Sequence, residues 1–224
     1  MTSPNTGSLT LTRLPLFPLH TVLFPGGVLA LKVFELRYLD MIGRCQQLQA
    51  PFGVVTLTEG EEVRRRAPDA PGAEPGFVRE RFHPIGVLAR IEKLEKPQPG
   101  LYLVQCRGQQ RFRIDRREQL PNGLWTADVT LDPREASLPV PEHLLPARQT
   151  LERVLDGLTQ QGTPDPHPIP PPHQWDDCAW LANRWAELLP LPLEMKYRLM
   201  SLDSPVLRLE LVTDLLDRMG LLRD

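Results

Sequence analysis

The sequence predicts an α+β protein: a β-rich first part, read as a sheet or barrel with one inserted helix, followed by an α-helical second part. Three observations carry this. Up to about residue 131 the apolar residues fall in short runs separated by Pro and Gly, the spacing of strands joined by tight turns. One stretch within that region changes to a helical period. Beyond Pro133, Pro139 and Pro141 the period is helical wherever there is one, which places the division between residues 1–138 and 139–224.

The first strand is expected over residues 10–16, ended by Pro15 and Pro18, which cannot donate to a central ladder. A short apolar run at 19–24 leads into Pro25-Gly26-Gly27, a turn, because glycine takes positive φ without penalty. Residues 28–34 resume extended structure. Leu36, Leu39, Met41, Ile42, Cys45 and Leu48 then fit one helical face, with Glu35 at the positive end of its dipole. Residues 52–58 are strand-like. Residues 59–82 are rich in charge, Pro and Gly, and read either as a solvated insertion or as a contact arm using Arg64, Arg65 and Arg66. Three strands follow at 87–94, 101–107 and 111–115, with turns at 97–100 and at Gly108, and a fourth at 125–131.

In the second part, Leu144, Leu151, Val154, Leu155 and Leu158 form a helical stripe, and the Pro-rich 162–173 is expected to be an extended surface linker. Asp176 or Asp177 is placed to cap a helix carrying Cys178, Leu181, Trp185 and Leu188. Pro190 and Pro192 separate it from the next. Ser204-Pro205 opens a last helix that Gly220 ends. About four helices are expected.

Bulk composition narrows the function classes. The 224 residues are 41% hydrophobic and 24% charged, with a net charge of −2, so no global field calls for nucleic acid or a membrane. Residues 1–135 hold 18 Lys and Arg against 15 Asp and Glu, a weak basic bias in the β-rich part. Three distant cysteines fit a reducing compartment rather than a disulfide framework. With no targeting signal or membrane-length apolar run, the expectation is a cytoplasmic protein.

Catalytic constellations are hard to assemble. Residues 26–32, GGVLALK, are a near miss to a phosphate-binding loop, with leucine at 31 for the second glycine and Val33 for the following hydroxyl. A Ser-Lys dyad has only Lys196 and Ser201 as near neighbours, five apart on a helix, which does not aim them together. His167, His173 and Cys178 beside Asp176 and Asp177 lack metal-ligand spacing, and the aspartates suit a helix cap. No cofactor, metal or catalytic residue is expected.

Two binding surfaces remain. Residues 106–118, CRGQQRFRIDRRE, carry five arginines, and alternate positions on a strand share a face. Arg107, Arg111, Arg113 and Arg117 are the candidates for an RNA-contacting stripe. The competing reading is a solvated face whose arginines pair with Glu92, Glu95, Asp115 or Glu118. Phe17, Phe24, Phe34 and Tyr38 are either core or a groove for unfolded polypeptide.

LPLFPLHTVLFPGGVLALKVFE at 14–35, with Phe34, Glu35, Arg37 and Tyr38 completing an F-E-x-R-Y motif, resembles the opening of Lon protease N-terminal domains. GVLARI at 86–91 and GQQRFRI at 108–114 resemble that family's later strands, and residues 182–216 its helical tail in stand-alone bacterial members. The resemblance implies a PUA-like β pseudobarrel followed by a helical bundle. It implies a role in holding unfolded or partner polypeptide without chemistry, since a chain of this length is not expected to carry the family's motor or protease. It implies Glu35 and Arg37 as a structural pair, and Gly86 and Gly108 as backbone positions. Residues 59–82 and 162–173 depart from the family pattern.

Overall fold

The computed structural model describes residues 9–60, 80–160 and 169–222. They divide into two compact units. One takes the chain up to Leu23 together with Leu29–Pro133; the other takes Phe24–Val28 and the chain from Arg134.

The first unit holds β1 (Thr10–Leu19), β2 (Val28–Val33) from its second residue, helix α1 (Leu36–Leu48), β3 (Phe52–Glu59), β4 (Arg81–Gln98), β5 (Leu101–Gln119) and β6 (Trp125–Leu131). The sheet order is β2-β5-β4-β3-β1-β6, and β5 also pairs with β6, so five of the strands close into a ring with β2 appended to β5. β1 and β3 run parallel. Parallel neighbours need a crossover, and α1 lies on the connection between them.

Four expectations change. First, β1 runs through both prolines. It pairs with β6 up to Leu16 and with β3 from Leu16 onward, so Pro15 and Pro18 each lie where one flank has no partner and a missing donor is tolerated. Second, there is no turn at Gly108: it is buried, pairs with Ala89, and β5 continues for 19 residues. Third, β4 begins at Arg81, inside the expected 59–82 loop; Arg64, Arg65 and Arg66 fall outside the described residues. Fourth, α1 buries Arg37, Tyr38, Met41, Ile42 and Cys45, while Leu36 and Leu48 at its ends are exposed.

The ring is filled by Leu14, Leu16, Val55, Leu57, Leu88, Val129 and Leu131 around the Phe112 ring. Phe112 fits because two neighbours lack side chains. A Cβ on Gly86 would lie 2.5 Å from Phe112 Cζ, and one on Gly53 would lie 2.7 Å from it. Both are far inside van der Waals contact, so Gly86 is fixed by packing rather than by backbone conformation.

The second unit carries α2 (Leu145–Gln160), α3 (Cys178–Leu188), α4 (Leu193–Ser201) and α5 (Pro205–Arg218). Of the two cap candidates, Asp177 is the one used: it accepts from the Trp180 amide at 2.8 Å. Ser204 caps α5 with Pro205 in its first turn, and Gly220 at φ +72 follows its end. Arg208 is fully buried, and its guanidinium reaches Glu135, Asn183 Oδ1 and the Leu199 and Leu202 carbonyls. Five donors thus meet enough acceptors to offset desolvation. Ile169, expected in a surface linker, is 1% exposed; residues 161–168 lie outside the described residues.

Candidate functional site

The F-E-x-R-Y stretch joins β2 to α1, and its side chains build a groove in the β-rich unit. Glu35 stands at the helix N-cap, but its carboxylate accepts from Arg37 Nε at 3.1 Å instead of capping a backbone amide. The Arg37 Nη2 donates to Glu80 Oε1 at 3.1 Å and its Nη1 to the Gly123 carbonyl at 2.8 Å. Trp125 Nε1 donates to the other Glu80 oxygen at 2.6 Å. This buried network holds the first turn of α1. Tyr38 is thereby clamped between the Arg37 guanidinium, 4.3 Å from its ring centre, and the stacked Phe17 ring at 4.0 Å.

Beside these rings lies a cavity of about 240 Å³. Phe17, Leu19 and Tyr38 contribute from β1 and α1, and six consecutive residues from Ala30 to Glu35 contribute from β2 and its end. A run of consecutive residues presents backbone as well as side chains, because alternate strand side chains point to opposite faces. Phe34 is 51% exposed. Among the described residues β2 pairs with β5 alone, so its other edge is open.

Three of the four aromatic candidates, Phe17, Phe34 and Tyr38, therefore meet at one groove. Phe24 does not: it is 0% exposed and belongs to the helical unit, where the following Pro25 carbonyl accepts from Arg184 Nη2 at 2.9 Å.

The arginine candidates on β5 are distributed differently. Arg107 donates to Glu92 at 2.5 Å, as the competing reading expected. Arg111 is buried and lies 3.5 Å from Asp132, which also accepts from Arg113 at 3.1 Å. Arg117 lies over the rings of Phe82 and Trp125, at 4.6 and 5.6 Å. Asp132 was not among the expected partners; it follows β6, 21 residues from Arg111, and nothing local in the sequence links the two. Glu80 was missed for the same reason.

The groups considered for catalysis are held apart. Lys196 Nζ donates to the Glu187 carbonyl at 2.9 Å, and Ser201 Oγ to the Arg198 carbonyl at 3.0 Å. His173 packs edge-on to Trp175 and contacts the Ile169 carbonyl at 3.2 Å; His167 lies outside the described residues. Burial pushes the Cys45 thiol up to about 11 and the Cys106 thiol up to about 12, and it raises Cys178 as well, so none is a ready thiolate. Among the described residues, no three His, Cys, Asp or Glu side chains gather as a metal site. No described helix is long and apolar enough to cross a membrane.

Residues 13–218 match the family model described as the ATP-dependent protease La (LON) substrate-binding domain. Over 102 residues the chain is 34% identical to Lon protease 2 of Myxococcus xanthus and 32% identical to Lon protease of Anaeromyxobacter dehalogenans. Each alignment spans 45% of this chain and 11% of the relative, so the matched part is about a tenth of those proteins. Among solved structures, a Lon N-terminal domain protein from Xanthomonas campestris superposes with a TM-score of 0.68 at 29% identity, covering 91% of this chain and 98% of the other. The N-terminal domain of a Mycobacterium avium complex Lon protease gives 0.56 at 16% identity, covering 90% and 96%, a likeness of fold.

Proposed function

The chain belongs to the LON substrate-binding domain family, and from that premise we propose that it is a non-enzymatic, cytoplasmic polypeptide-binding module serving protein quality control. In this reading the β-rich part, to residue 138, is a PUA-like pseudobarrel that makes the contact, and residues 139–224 form a helical bundle. The observation that carries the proposal is the groove beside β2: an open strand edge, two clamped aromatic rings and a half-exposed Phe34.

Those parts suit an extended, apolar segment. Backbone groups on an open edge pair with any unfolded chain, whatever its sequence, and the aromatic pocket adds affinity for a large apolar side chain. A folded protein presents neither feature to the groove. The RNA reading of Arg107, Arg111, Arg113 and Arg117 has weaker support, since Arg111 is buried and the other three guanidiniums have protein partners.

The test compares retention of a permanently unfolded model protein with that of its folded form. Binding of the unfolded form alone, weakened about tenfold by Phe34→Ala, is expected. Equal binding of both forms, or of neither, would sink the proposal. Salt-dependent retention of RNA would favour the rival.

A further inference from the structure

A second cavity, of about 320 Å³, opens in the same unit between α1, the start of β1 and the β5–β6 turn. It is separate from the groove beside β2, and the two cavities share no lining residue. Its floor is apolar: Met41, Cys45 and Leu124 are buried beneath it. Its rim is charged, with Arg13, Asp40 and Arg44 all exposed. Arg37 also borders it, but that guanidinium is taken up by Glu35, Glu80 and the Gly123 carbonyl. Neither Arg13 nor Arg44 has an ion-pair partner among the described residues.

Arg13 reaches this rim through an unfavourable backbone. It adopts φ +53, the left-handed region that a residue with a Cβ seldom enters. It belongs to a bulge in β1, where Thr12 and Arg13 together face Asp128, between the pairs Leu11↔Val129 and Leu14↔Ala127. The Asp128 carboxylate holds the conformation by accepting from the Arg13 amide at 3.0 Å. Glycine or asparagine would sit there with less strain; the bulge instead re-aims an arginine.

We infer that this cavity binds an apolar group ending in a carboxylate, with the carboxylate between Arg13 and Arg44 and the aliphatic body over Met41 and Leu124. The charge balance selects this class. Two guanidiniums attract an anion, while Asp40 on the same rim disfavours a phosphate dianion and suits a ligand whose amide N–H lies next to its carboxylate. The volume stands at the low end for ligand pockets, roughly 300–1,000 Å³, which fits one or two residues. That chemistry has two sources, the free end of a polypeptide and a small N-acyl amino acid.

The experiment titrates the full chain with N-acetyl-leucine, with its amide, and with a short peptide ending in leucine, free or amidated. Both free acids are expected to bind, and both amides to bind about tenfold more weakly or worse. Arg44→Ala should weaken the acids by about tenfold, and Arg44→Glu should abolish binding. Arg44 is exposed on a helix, so these losses come with an unchanged melting temperature. Arg13→Asn, which suits the bulge, should act like Arg44→Ala. Stronger binding of the free peptide assigns the cavity to chain ends; equal binding of the two acids assigns it to small acids. Acids and amides binding alike, no binding of any of the four, or indifference to Arg44→Glu overturns the inference. Retention of unfolded protein through Phe34 is a separate readout that the Arg44 variants should leave intact.

Discussion

The groove beside β2 and the arginine row on β5 belong to one unit, and both stand out in the sequence, yet the fold treats them in opposite ways. At the groove, packing is completed underneath and left incomplete on top. Phe17 and Tyr38 are stacked and buried, and Phe34, lining the same cavity, is left half exposed. On β5 the arginines are answered from within the protein: Glu92 for Arg107, Asp132 for Arg111 and Arg113, two aromatic rings for Arg117. Residue type alone does not mark a binding surface. What marks it is whether the fold leaves the side chain's main interaction unmade.

The contrast predicts a graded series of effects. The largest belongs to Arg111→Ala. It leaves the Asp132 carboxylate buried with one of its two guanidiniums gone, and should cost about 3 kcal/mol in urea unfolding. An unchanged unfolding midpoint would mean that Arg111 is not structural and would reopen the arginine row as a binding face.

Next is the response to pH. Burial raises the Cys45 and Cys106 thiols from an ordinary value of 9.0 to about 11 and about 12, so the fold favours their neutral forms. Their contribution is complete below pH 9.0 and is lost as the pH climbs through the folded values. A stability loss on the order of 1 to 3 kcal/mol is expected between pH 9.0 and about 11. Native thiols should also resist alkylation at about pH 8 and react once urea is added.

Phe34→Ala comes third, and separates binding from stability. A residue half exposed at a groove lip should change the unfolding free energy by about 0.5 kcal/mol or less while weakening capture of unfolded protein. A large stability loss would make Phe34 a core residue after all. The smallest effect is assigned to Arg107→Ala, whose pair with Glu92 is part-exposed on both sides and is worth between about 0 and 1 kcal/mol.

Much of the fold can be read from local signals, because most of its boundaries are set locally. Asp177, Ser204-Pro205 and Gly220 act on the few backbone groups next to them, and they mark helix ends where expected. The aromatic groove was partly legible for a related reason: Phe34 and Tyr38 are four apart across a strand–helix junction. Long-range pairing was not legible. Pro15 and Pro18 are permitted by β1 changing partners at Leu16, and Gly108 sits mid-strand because it pairs with Ala89 of β4. Neither fact has a counterpart in the neighbouring residues. Glu80 and Asp132 are buried acids whose guanidinium partners lie 43 and 21 or fewer positions away, and Arg13 gives no warning of its left-handed backbone.

Closure of the sheet has a consequence for how the molecule is born. The first strand of the unit finds a partner in its last, and the amide of Arg13 waits for a carboxylate 115 residues downstream. Such distant pairing slows assembly more than it lowers final stability. The nascent β-rich unit therefore stays open until Leu131 has emerged, and shortening it at that end takes a partner from both β1 and β5.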